Sequence, residues 1–264
     1  MQKRSKSELP KVSIIIPSFN KGNFIKKTLD SIVCQNYPNL EVIIQDPGST
    51  DGSLEIIGKY VKKYPRIFKL FKEKDEGQLD AINRGLKKAK GEILSFINAD
   101  DVYEDGALEK VGEYFFQNPN TLWLAGRGRV INEAGFEIAK FVTLYKNILL
   151  RINCYFFLLM TNYLFQPSVF LSRSAWEKYG PFKGKTRFVM EYEMWLRIGK
   201  DKMPSLINET LSSFRIPGKS ISRDEFDKTL EADFEIVKTY TNSRFLLLLH
   251  QIHNGLRKLI IKII

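Results

Sequence analysis

The stretch that decides the fold is VSIIIPSFNKGNFIKKTLDSIVCQNYPNLEVIIQD, which spans Val12–Asp46. It opens with a short apolar run that ends at Pro17, a pattern typical of a strand buried on both faces. Apolar residues at helical spacing follow in Phe24–Val33, and a second apolar run occupies Glu41–Asp46. Strand, helix and strand in this order predict a βαβ unit whose two strands are parallel.

The same alternation continues through the next fifty residues. SLEIIGKYVKKY and GQLDAINRGLKKAK have the spacing of amphipathic helices, while RIFKLFKE and EILSFIN (Glu92–Asn98) have that of strands. This pattern predicts a mostly parallel sheet with helices on both faces. Ligands bind such sheets at the carboxyl ends of the strands, where the sequence places the polar groups Ser18–Asn20, Asp46 and Asn98–Asp101.

Beyond Leu122 the pattern changes. A hairpin is predicted around Asn132–Gly135, and an apolar, aromatic stretch follows at 141–165. A short strand SVFLS and helices that include MEYEMWLRIGK complete the domain. The simplest partition is a basic N-terminal extension (1–10), one domain (11–220) and C-terminal amphipathic helices (221–264).

Composition limits the classes of function. The net charge of +11 indicates an anionic partner, which leaves nucleic acid, a membrane surface and a phosphorylated substrate open. Cys34 and Cys154, far apart in apolar company, are expected to be buried free thiols of a reducing compartment. Because His250 and His253 both lie in the tail, the body of the protein holds no His-based triad. The uncharged run 152–172 contains Asn, Thr, Gln and Pro, which argues against a spanning helix.

Four stretches in order carry a resemblance to a known family. No G-x-G-x-x-G follows the first strand and no P-loop occurs, which excludes the common dinucleotide and NTP sites. The opening stretch, DEGQLDAINRGLKKAKGEILSFINADD, QPSVFLSRSAWEKYGPF and MEYEMWLR together resemble the family-2 glycosyltransferases over Val12–Arg215. The resemblance implies a GT-A (Rossmann-like) α/β fold with a mixed, mostly parallel sheet. Residues 11–101 would form its nucleotide-binding half and 102–220 its acceptor-binding half.

The resemblance implies an inverting enzyme that uses a nucleotide-sugar donor, by expectation a UDP-sugar, and Mn²⁺ or Mg²⁺. A divalent cation on carboxylates neutralises the diphosphate as it leaves. Asn98, Asp100 and Asp101 occupy the family's Asp-x-Asp position, with Asn98 where the family often has Asp. We expect Asp100 to face ribose and metal and Asp101 to join the metal shell. The alternative is a pair of solvated aspartates in a surface turn.

Further donor contacts follow from the same resemblance. It implies that the nucleotide sugar is bound by Asn98 and Asp100 together with six further residues: Pro17, Ser18, Asn20, Asp46, Asp80 and Arg84. Each has a plain structural alternative. Asp46-Pro47-Gly48 is a turn signal, and the loop after Pro17 suits a turn with a helix cap. Asp80 and Arg84, four apart on a helix, suit an intrahelical ion pair, and Asp51 is expected to be a helix cap.

The predicted residues of the acceptor side lie mostly in the helix MEYEMWLR. Aligned with the family, Glu191 takes the position of the general base that accepts the proton of the acceptor hydroxyl. Glu193 lies about 200° around the helix from it. We expect Glu193, Trp195 and Arg215 to bind the acceptor, and solvated helix acids are the alternative. The family's FR-x-H element appears here as FRIP, so Arg215 or Lys219 would meet phosphate in place of the missing His.

The last twenty residues, 245–264, predict a basic amphipathic helix with Asn254, Lys258 and Lys262 opposite a broad Leu/Ile face. We expect it to hold a cytoplasmic protein peripherally on the inner face of the cell membrane, where positive charge favours anionic lipid. Packing on the domain or on a second subunit is the alternative, so an oligomer stays open.

The predicted role is synthesis of a cell-surface or lipid-linked glycan, and the aromatic stretch 141–165 suits a lipid-linked acceptor as well as a core. A non-catalytic member that binds a nucleotide sugar or glycan is the alternative function. Nucleic acid is excluded as a partner, since the lysines are spread along amphipathic helices and no nucleic-acid motif occurs.

Overall fold

The computed structural model describes residues 8–184, 189–216 and 223–260. The strands are β1 (Val12–Pro17), β2 (Leu40–Gln45), β3 (Phe68–Phe71), β4 (Ile93–Phe96), β5 (Val102–Tyr103), β6 (Trp123–Ile131), β7 (Val169–Ser172) and β8 (Ser205–Arg215). The helices are α1 (Ile25–Val33), α2 (Ser53–Lys63), α3 (Gln78–Lys88), α4 (Ala107–Gln117), α5 (Lys140–Ile152), α6 (Tyr155–Met160), α7 (Arg173–Tyr179), α8 (Met190–Gly199), α9 (Arg223–Tyr240) and α10 (Arg244–Ile260).

One eight-stranded sheet joins both halves of the domain in the order β3-β2-β1-β4-β7-β6-β8-β5. Strands β3, β2, β1 and β4 are parallel, as the βαβ pattern predicts. Strand β7 runs antiparallel to β4 and β6, β8 is parallel to β6, and the short β5 pairs antiparallel with β8 at the edge. The predicted mixed, mostly parallel sheet is therefore confirmed.

Helices cover both faces because β1 and β2 are apolar on both sides. Ile14 and Ile16 pack toward α1, α2 and α4, whereas Ile15 packs toward α3 in the opposite core. Helix α3 approaches β1 closely at Gly85, where an added Cβ would lie 2.6 Å from Ile15 Cγ2. Each fully buried Ile contributes about 1.5–3 kcal/mol, so these alternating layers fix the strand ends that carry the site.

Two local expectations have clear outcomes. The hairpin is confirmed, with Asn132 N–H donating to the Phe136 carbonyl at 2.9 Å and Gly135 at φ +97°. The expectation of buried thiols is wrong, because Cys34 and Cys154 are both exposed. Each lies at a helix end, Cys34 just after α1 and Cys154 just before α6, where the buried face of the helix no longer extends.

Helices α9 and α10 form an antiparallel pair against α6 and α8. The predicted boundary at 220/221 lies outside the described residues, as do Lys219 and Lys262, and the partition stays a prediction. Within the described ranges, no helix is both long and apolar enough to cross a membrane.

Candidate active site

The carboxyl ends of β1, β2 and β4 meet at one edge of the sheet. In register, Pro17 of β1 lies opposite Gln45 of β2, and Ile15 lies opposite Phe96 of β4. The loops Ser18–Gly22, Asp46–Ser53 and Ile97–Asp101 therefore emerge side by side, and we call them together the carboxyl edge. The topology thus brings together the polar clusters that the sequence places after three separate strands.

Asp46 is fully buried and forms the centre of this edge. Its Oδ2 accepts from the hydroxyls of Ser18 (3.0 Å) and Ser49 (2.7 Å). Its Oδ1 accepts from the backbone amides of Gly48 (2.9 Å) and Ser49 (2.7 Å). The turn alternative for Asp46 is thus realised, and the carboxylate fixes the first two loops of the edge against each other.

Asn20 and Asp51 extend the connection between the loops. Asn20 adopts φ +50°, a left-handed conformation that Asn tolerates better than most residues. Its side-chain Oδ1 accepts from the Thr50 amide at 2.9 Å. The Asp51 carboxylate accepts from the amides of Gly22 (2.7 Å) and Ser53 (3.1 Å), but the expected N-cap role is wrong, because the cap of α2 is Gly52 at φ +90°. These contacts position the loop after β1 beside the start of α2.

The two adjacent aspartates differ sharply in their surroundings. Asp101 is fully buried; its Oδ1 accepts from the Arg215 amide (2.8 Å) and its Oδ2 from the Asn98 Nδ2 (3.2 Å). Burial, together with the neighbouring charge of Asp100, raises the pKa of Asp101 well above its usual range. Asp100 instead directs its Oδ2 to the ammonium of Lys21, at 2.5 Å. Asp100 is therefore the member of the pair that meets a cation.

Sequence reasoning missed Lys21. Its side chain is about one-third exposed and reaches from the loop after β1 to the end of β4. The available signal is its position, directly after Ser18–Asn20 at the end of a buried parallel strand. A lysine there adds positive charge to an edge whose predicted ligand carries a diphosphate.

Asn98 has a specific structural role in place of the family's frequent Asp. Its Oδ1 accepts from Gln78 Nε2 at 2.6 Å, and its Nδ2 donates to Asp101. A carboxylate at this position would lack the donor and would repel Asp101. The amide therefore holds the buried carboxylate in place.

The residues at this edge fit a divalent cation shared with a ligand. Mg²⁺ and Mn²⁺ prefer oxygen ligands and commonly take one or two carboxylates, with substrate phosphate and water completing the shell. Asp100 provides one such carboxylate, and a metal at its Oδ2 would take the place of the Lys21 ammonium. In the described part of the chain, no group of three or more His, Cys, Asp or Glu side chains is arranged to hold a metal alone. A metal-binding role for Asp101, whose oxygens point into the protein, stays a prediction.

Arg215, predicted to contact acceptor or phosphate, is buried behind the aspartates. Its Nε donates to the Asp100 carbonyl (2.7 Å), and its Nη1 donates to the carbonyls of Asn132 (2.8 Å) and Glu133 (3.0 Å). Its Nε and Nη1 donors are therefore used inside the protein, and an acceptor or phosphate contact stays a prediction. Arg215 connects the β4 loop to the hairpin that follows β6.

Asp80 and Arg84 form the intrahelical ion pair that the plain alternative predicted, with Arg84 Nη2 2.7 Å from Asp80 Oδ2. Arg84 Nη1 also donates to the Lys74 carbonyl at 2.9 Å. These contacts order the chain that leads into α3. A donor contact for either residue stays a prediction.

Glu191, the predicted base, lies in the first turn of α8 and is partly exposed. Burial raises the pKa of its carboxyl to about 7; the charge of Asp233 acts in the same direction, and that of Lys146 opposes it. Burial also lowers the pKa of Lys146 to about 8. A carboxyl group with a pKa near neutrality can accept a proton at physiological pH and release it again.

The other two predicted acceptor residues of α8 have structural contacts. Glu193 accepts from Arg197 Nη2 (2.8 Å) and from the Tyr240 hydroxyl (2.6 Å), which anchors α9. Trp195 is only 1% exposed and stacks on Trp123 with ring centroids 5.6 Å apart. The acceptor contact expected for Trp195 is therefore corrected, since the indole lies in the core.

Comparison with known proteins shows the family of this chain. Residues 13–176 match the family model described as Glycosyl transferase family 2. The chain belongs to this family. Across 256 residues it is 30% identical to the Escherichia coli UDP-Glc:alpha-D-GlcNAc-diphosphoundecaprenol beta-1,3-glucosyltransferase WfgD, with 94% of each chain covered. The resemblance identified from the sequence motifs is confirmed.

Other family members match over shorter stretches. TuaG, a glycosyltransferase assigned to teichuronic acid biosynthesis in Bacillus subtilis (strain 168), is 32% identical over 133 residues. That match covers 50% of this chain and 52% of TuaG, so the chain spans about half the length of this relative. These matches show the family, but they do not identify the donor or the acceptor of this chain.

Two solved structures share the architecture. The mannosyltransferase PcManGT from Pyrobaculum calidifontis, in complex with GDP-Man and Mn²⁺, superposes with a TM-score of 0.67 at 18% identity, covering 96% of this chain and 72% of that one. Staphylococcus aureus TarS gives a TM-score of 0.63 at 16% identity, covering 90% and 41%. At these identities the likeness concerns the fold alone, and the predicted GT-A fold is confirmed.

Proposed function

We propose that this protein is an inverting glycosyltransferase that moves a sugar from a nucleoside diphosphate sugar, most simply a UDP-sugar, to an acceptor hydroxyl. The observation that carries the proposal is the carboxyl edge, where Asp100 meets a cationic partner at the end of β4 beside the loops held by Asp46. Members of the family to which the chain belongs use such an edge for the donor. The binding groups are in place before the donor arrives, which reduces reorganisation during the reaction.

The chain's own residues have distinct roles toward the donor. Asp100 would hold Mn²⁺ or Mg²⁺, and the metal would neutralise charge on the departing diphosphate. Lys21, at the same carboxylate, adds a second positive charge for phosphate oxygens. Ser18, Asn20 and Asp46 keep the nucleotide loops in a fixed arrangement, and Asp101 with Asn98 positions the β4 loop.

Transfer is a single displacement at the anomeric carbon. The acceptor oxygen bonds to that carbon as the bond to the diphosphate oxygen breaks, which inverts the configuration. The acceptor proton passes to the Glu191 carboxylate, whose pKa of about 7 suits a base that must be deprotonated yet basic near neutral pH.

The relatives indicate a class of acceptor. WfgD is named for a diphosphoundecaprenol-linked acceptor, and TuaG is assigned to teichuronic acid biosynthesis. We therefore propose a lipid-linked glycan acceptor in cell-surface polysaccharide synthesis. The cytoplasmic location and peripheral attachment to the inner face of the membrane that residues 245–264 suggest belong to the same proposal.

A non-catalytic member that binds a nucleotide sugar is the second candidate. Two observations favour it: Asn98 replaces a third acid, and Asp101 points into the protein. Such a protein would bind a donor with metal but would not turn it over.

The test is nucleoside diphosphate release from a panel of UDP- and GDP-sugars, with Mn²⁺ or Mg²⁺ and with EDTA. We expect one donor to give metal-dependent release that increases with a lipid-linked acceptor. Thermal stabilisation by a donor and metal, without release in the presence of any acceptor, would instead establish the non-catalytic alternative.

A further inference from the structure

Helix α10 packs on the protein through three polar residues as well as through Leu246 and Leu247. His250 is fully buried, and its Nδ1 donates to the Leu159 carbonyl at 3.0 Å. Asn254, also buried, donates to the Leu230 carbonyl at 3.2 Å, and Arg257 pairs with Asp233 at 2.7 Å. An amphipathic helix that completes a core does the opposite, because it buries its apolar side.

The apolar side of α10 faces solvent. Five large side chains one turn apart are each more than half exposed: Phe245, Leu248, Ile252, Leu256 and Leu259. The contacts of His250, Asn254 and Arg257 fix this orientation, since rotating the helix would break all three. The alternative of packing on the domain is therefore realised for one side of α10, which includes Leu246 and Leu247, while the exposed stripe stays outside that contact.

Helix α5 shows a second exposed stripe with the same spacing. Phe141, Leu144, Ile148 and Ile152 are between 48% and 69% exposed, and Phe156 on the adjoining α6 is partly exposed. Ten of the twelve large apolar side chains that are exposed in the described residues lie on α5, α6 and α10. Scattered single exposed hydrophobic residues are ordinary, but a concentration of this kind marks an interaction surface.

The two stripes belong to one surface. Tyr145 of α5 stacks on His253 of α10 with ring centroids 5.7 Å apart, and each ring lies beside the exposed stripe of its helix. Helices α5 and α6 are separated by two residues, and the His250 bond joins α10 to the end of α6. We call the exposed side chains of these three helices the lipid face: Phe141, Leu144, Ile148, Ile152, Phe156, Phe245, Leu248, Ile252, Leu256 and Leu259.

The helices that carry the lipid face are basic. Residues 140–160 and 244–260 together contain six Lys and Arg residues and no Asp or Glu, and two of the six, Arg257 and Lys258, pair with Asp233 and Asp227 of α9. A second copy of the chain docked through this face would bring like charges together, which opposes association. Anionic lipid headgroups have the complementary charge, and an apolar stripe beside basic residues is the pattern of a helix lying in a bilayer interface.

The lipid face starts next to the active site. Helix α5 follows the hairpin whose carbonyls at Asn132 and Glu133 hold Arg215 behind Asp100. Phe136 in that hairpin is also exposed. We propose that α5, α6 and α10 together bind the surface of an anionic bilayer, with α5 placing the acceptor side of the active site at the lipid headgroups. The catalytic consequence rests on the proposed function, whereas the bilayer contact does not.

The test is sedimentation of the full chain with vesicles of about 30% phosphatidylglycerol in phosphatidylcholine. We expect wild type to bind these vesicles and to bind pure phosphatidylcholine more weakly. Leu144→Glu/Ile148→Glu and Ile252→Glu/Leu256→Glu should each weaken binding about tenfold or more, because both stripes lose apolar contact. Gln117→Glu/Asn120→Glu, which makes the same charge change at exposed positions at and just after the end of α4, should bind like wild type.

Donor turnover separates the two proposals. The α5 and α10 variants should release nucleotide normally with a water-soluble acceptor and lose transfer to an acceptor embedded in vesicles. Vesicle binding by a wild-type chain that turns over no donor would support the lipid face and count against the proposed function. Absence of vesicle binding, or a wild-type dimer that Ile252→Glu dissociates, would overturn the lipid face.

Discussion

Asp46 at the end of β2 accepts four hydrogen bonds in a fully buried pocket, whereas Glu191 in the first turn of α8 has a pKa of about 7 because of its partly buried surroundings. On the carboxyl edge, each acid is tied to hydroxyls, amides or an ammonium group. On the acceptor side, burial destabilises the charged carboxylate. Asp46 and Asp100 are thus held by hydrogen-bond donors, whereas the carboxyl of Glu191 is suited to exchange a proton.

Removal of Asp100 should have the largest effect on the carboxyl edge. Asp100→Ala deletes the carboxylate that, on the proposed function, would hold the metal. We expect kcat to fall by about a thousandfold, since metal stabilisation of developing charge supplies several kcal/mol. Steady-state nucleotide release, and Mn²⁺ affinity measured by calorimetry with UDP present, provide the measurements.

The matched control for Asp100→Ala is Glu55→Ala, which removes an exposed acid of α2 that pairs only along its own helix. It should retain wild-type rate and Mn²⁺ affinity. Unchanged Mn²⁺ affinity in Asp100→Ala would show that the cation binds elsewhere.

Glu191→Gln tests the acceptor side, because it keeps the size of the side chain and removes the carboxylate that would act as the base. We expect kcat to fall about a hundredfold or more, the usual range for losing a general base, while Mn²⁺ affinity and donor binding stay as in wild type. A parallel loss of donor affinity would place Glu191 on the donor side.

The raised pKa of Glu191 also predicts a pH dependence. Because the base must be deprotonated, kcat should fall about tenfold per pH unit below about 7 and level off above it. The free energy of unfolding should depend on pH in the opposite direction. Because the pKa of Glu191 is higher in the folded state than in the unfolded state, the neutral carboxyl stabilises the fold in acid, and this stabilisation is lost as the pH rises through 7. Glu191→Gln should therefore melt above wild type at pH 8 and at nearly the same temperature at pH 5.

The sequence predicted the carboxyl edge well because parallel strands constrain it strongly. Once β1, β2 and β4 are recognised as buried parallel strands, their ends must meet, which brings Asp46 and Asp100 together. The pairing of Lys21 with Asp100 could not be predicted, because it depends on how a loop and a flexible side chain cross between strands distant in sequence.

The acceptor side was harder to predict because helical periodicity shows which residues share a face, not where that face points. Helix α8 is buried on nearly every side, so Trp195 packs on Trp123. Helix α10 keeps one apolar stripe outward because Asp233 and the Leu230 carbonyl of α9 bind its polar residues. These partners follow from tertiary packing alone.

The smallest expected effect concerns Glu193, which lies in the same helical turn as Glu191 but is held by hydrogen bonds to its neighbours. Tyr240→Phe removes the hydroxyl that donates to Glu193 at 2.6 Å and thereby loosens α9 from α8. We expect a loss of about 1 kcal/mol in unfolding free energy, a typical value for one partly buried hydrogen bond. For a chain of this size that corresponds to a decrease in Tm of about 2–4 °C.

This variant should leave kcat unchanged, because Glu193 keeps its bond to Arg197 and takes no part in proton transfer. Tyr114→Phe, which removes a hydroxyl from α4, is the matched control for Tm. A tenfold rise in KM for the acceptor with no change in Tm would instead return Glu193 to the acceptor site. The Tyr240 contact would then be a means of positioning that carboxylate for the acceptor, and the chemical part of α8 would extend from Glu191 to Glu193.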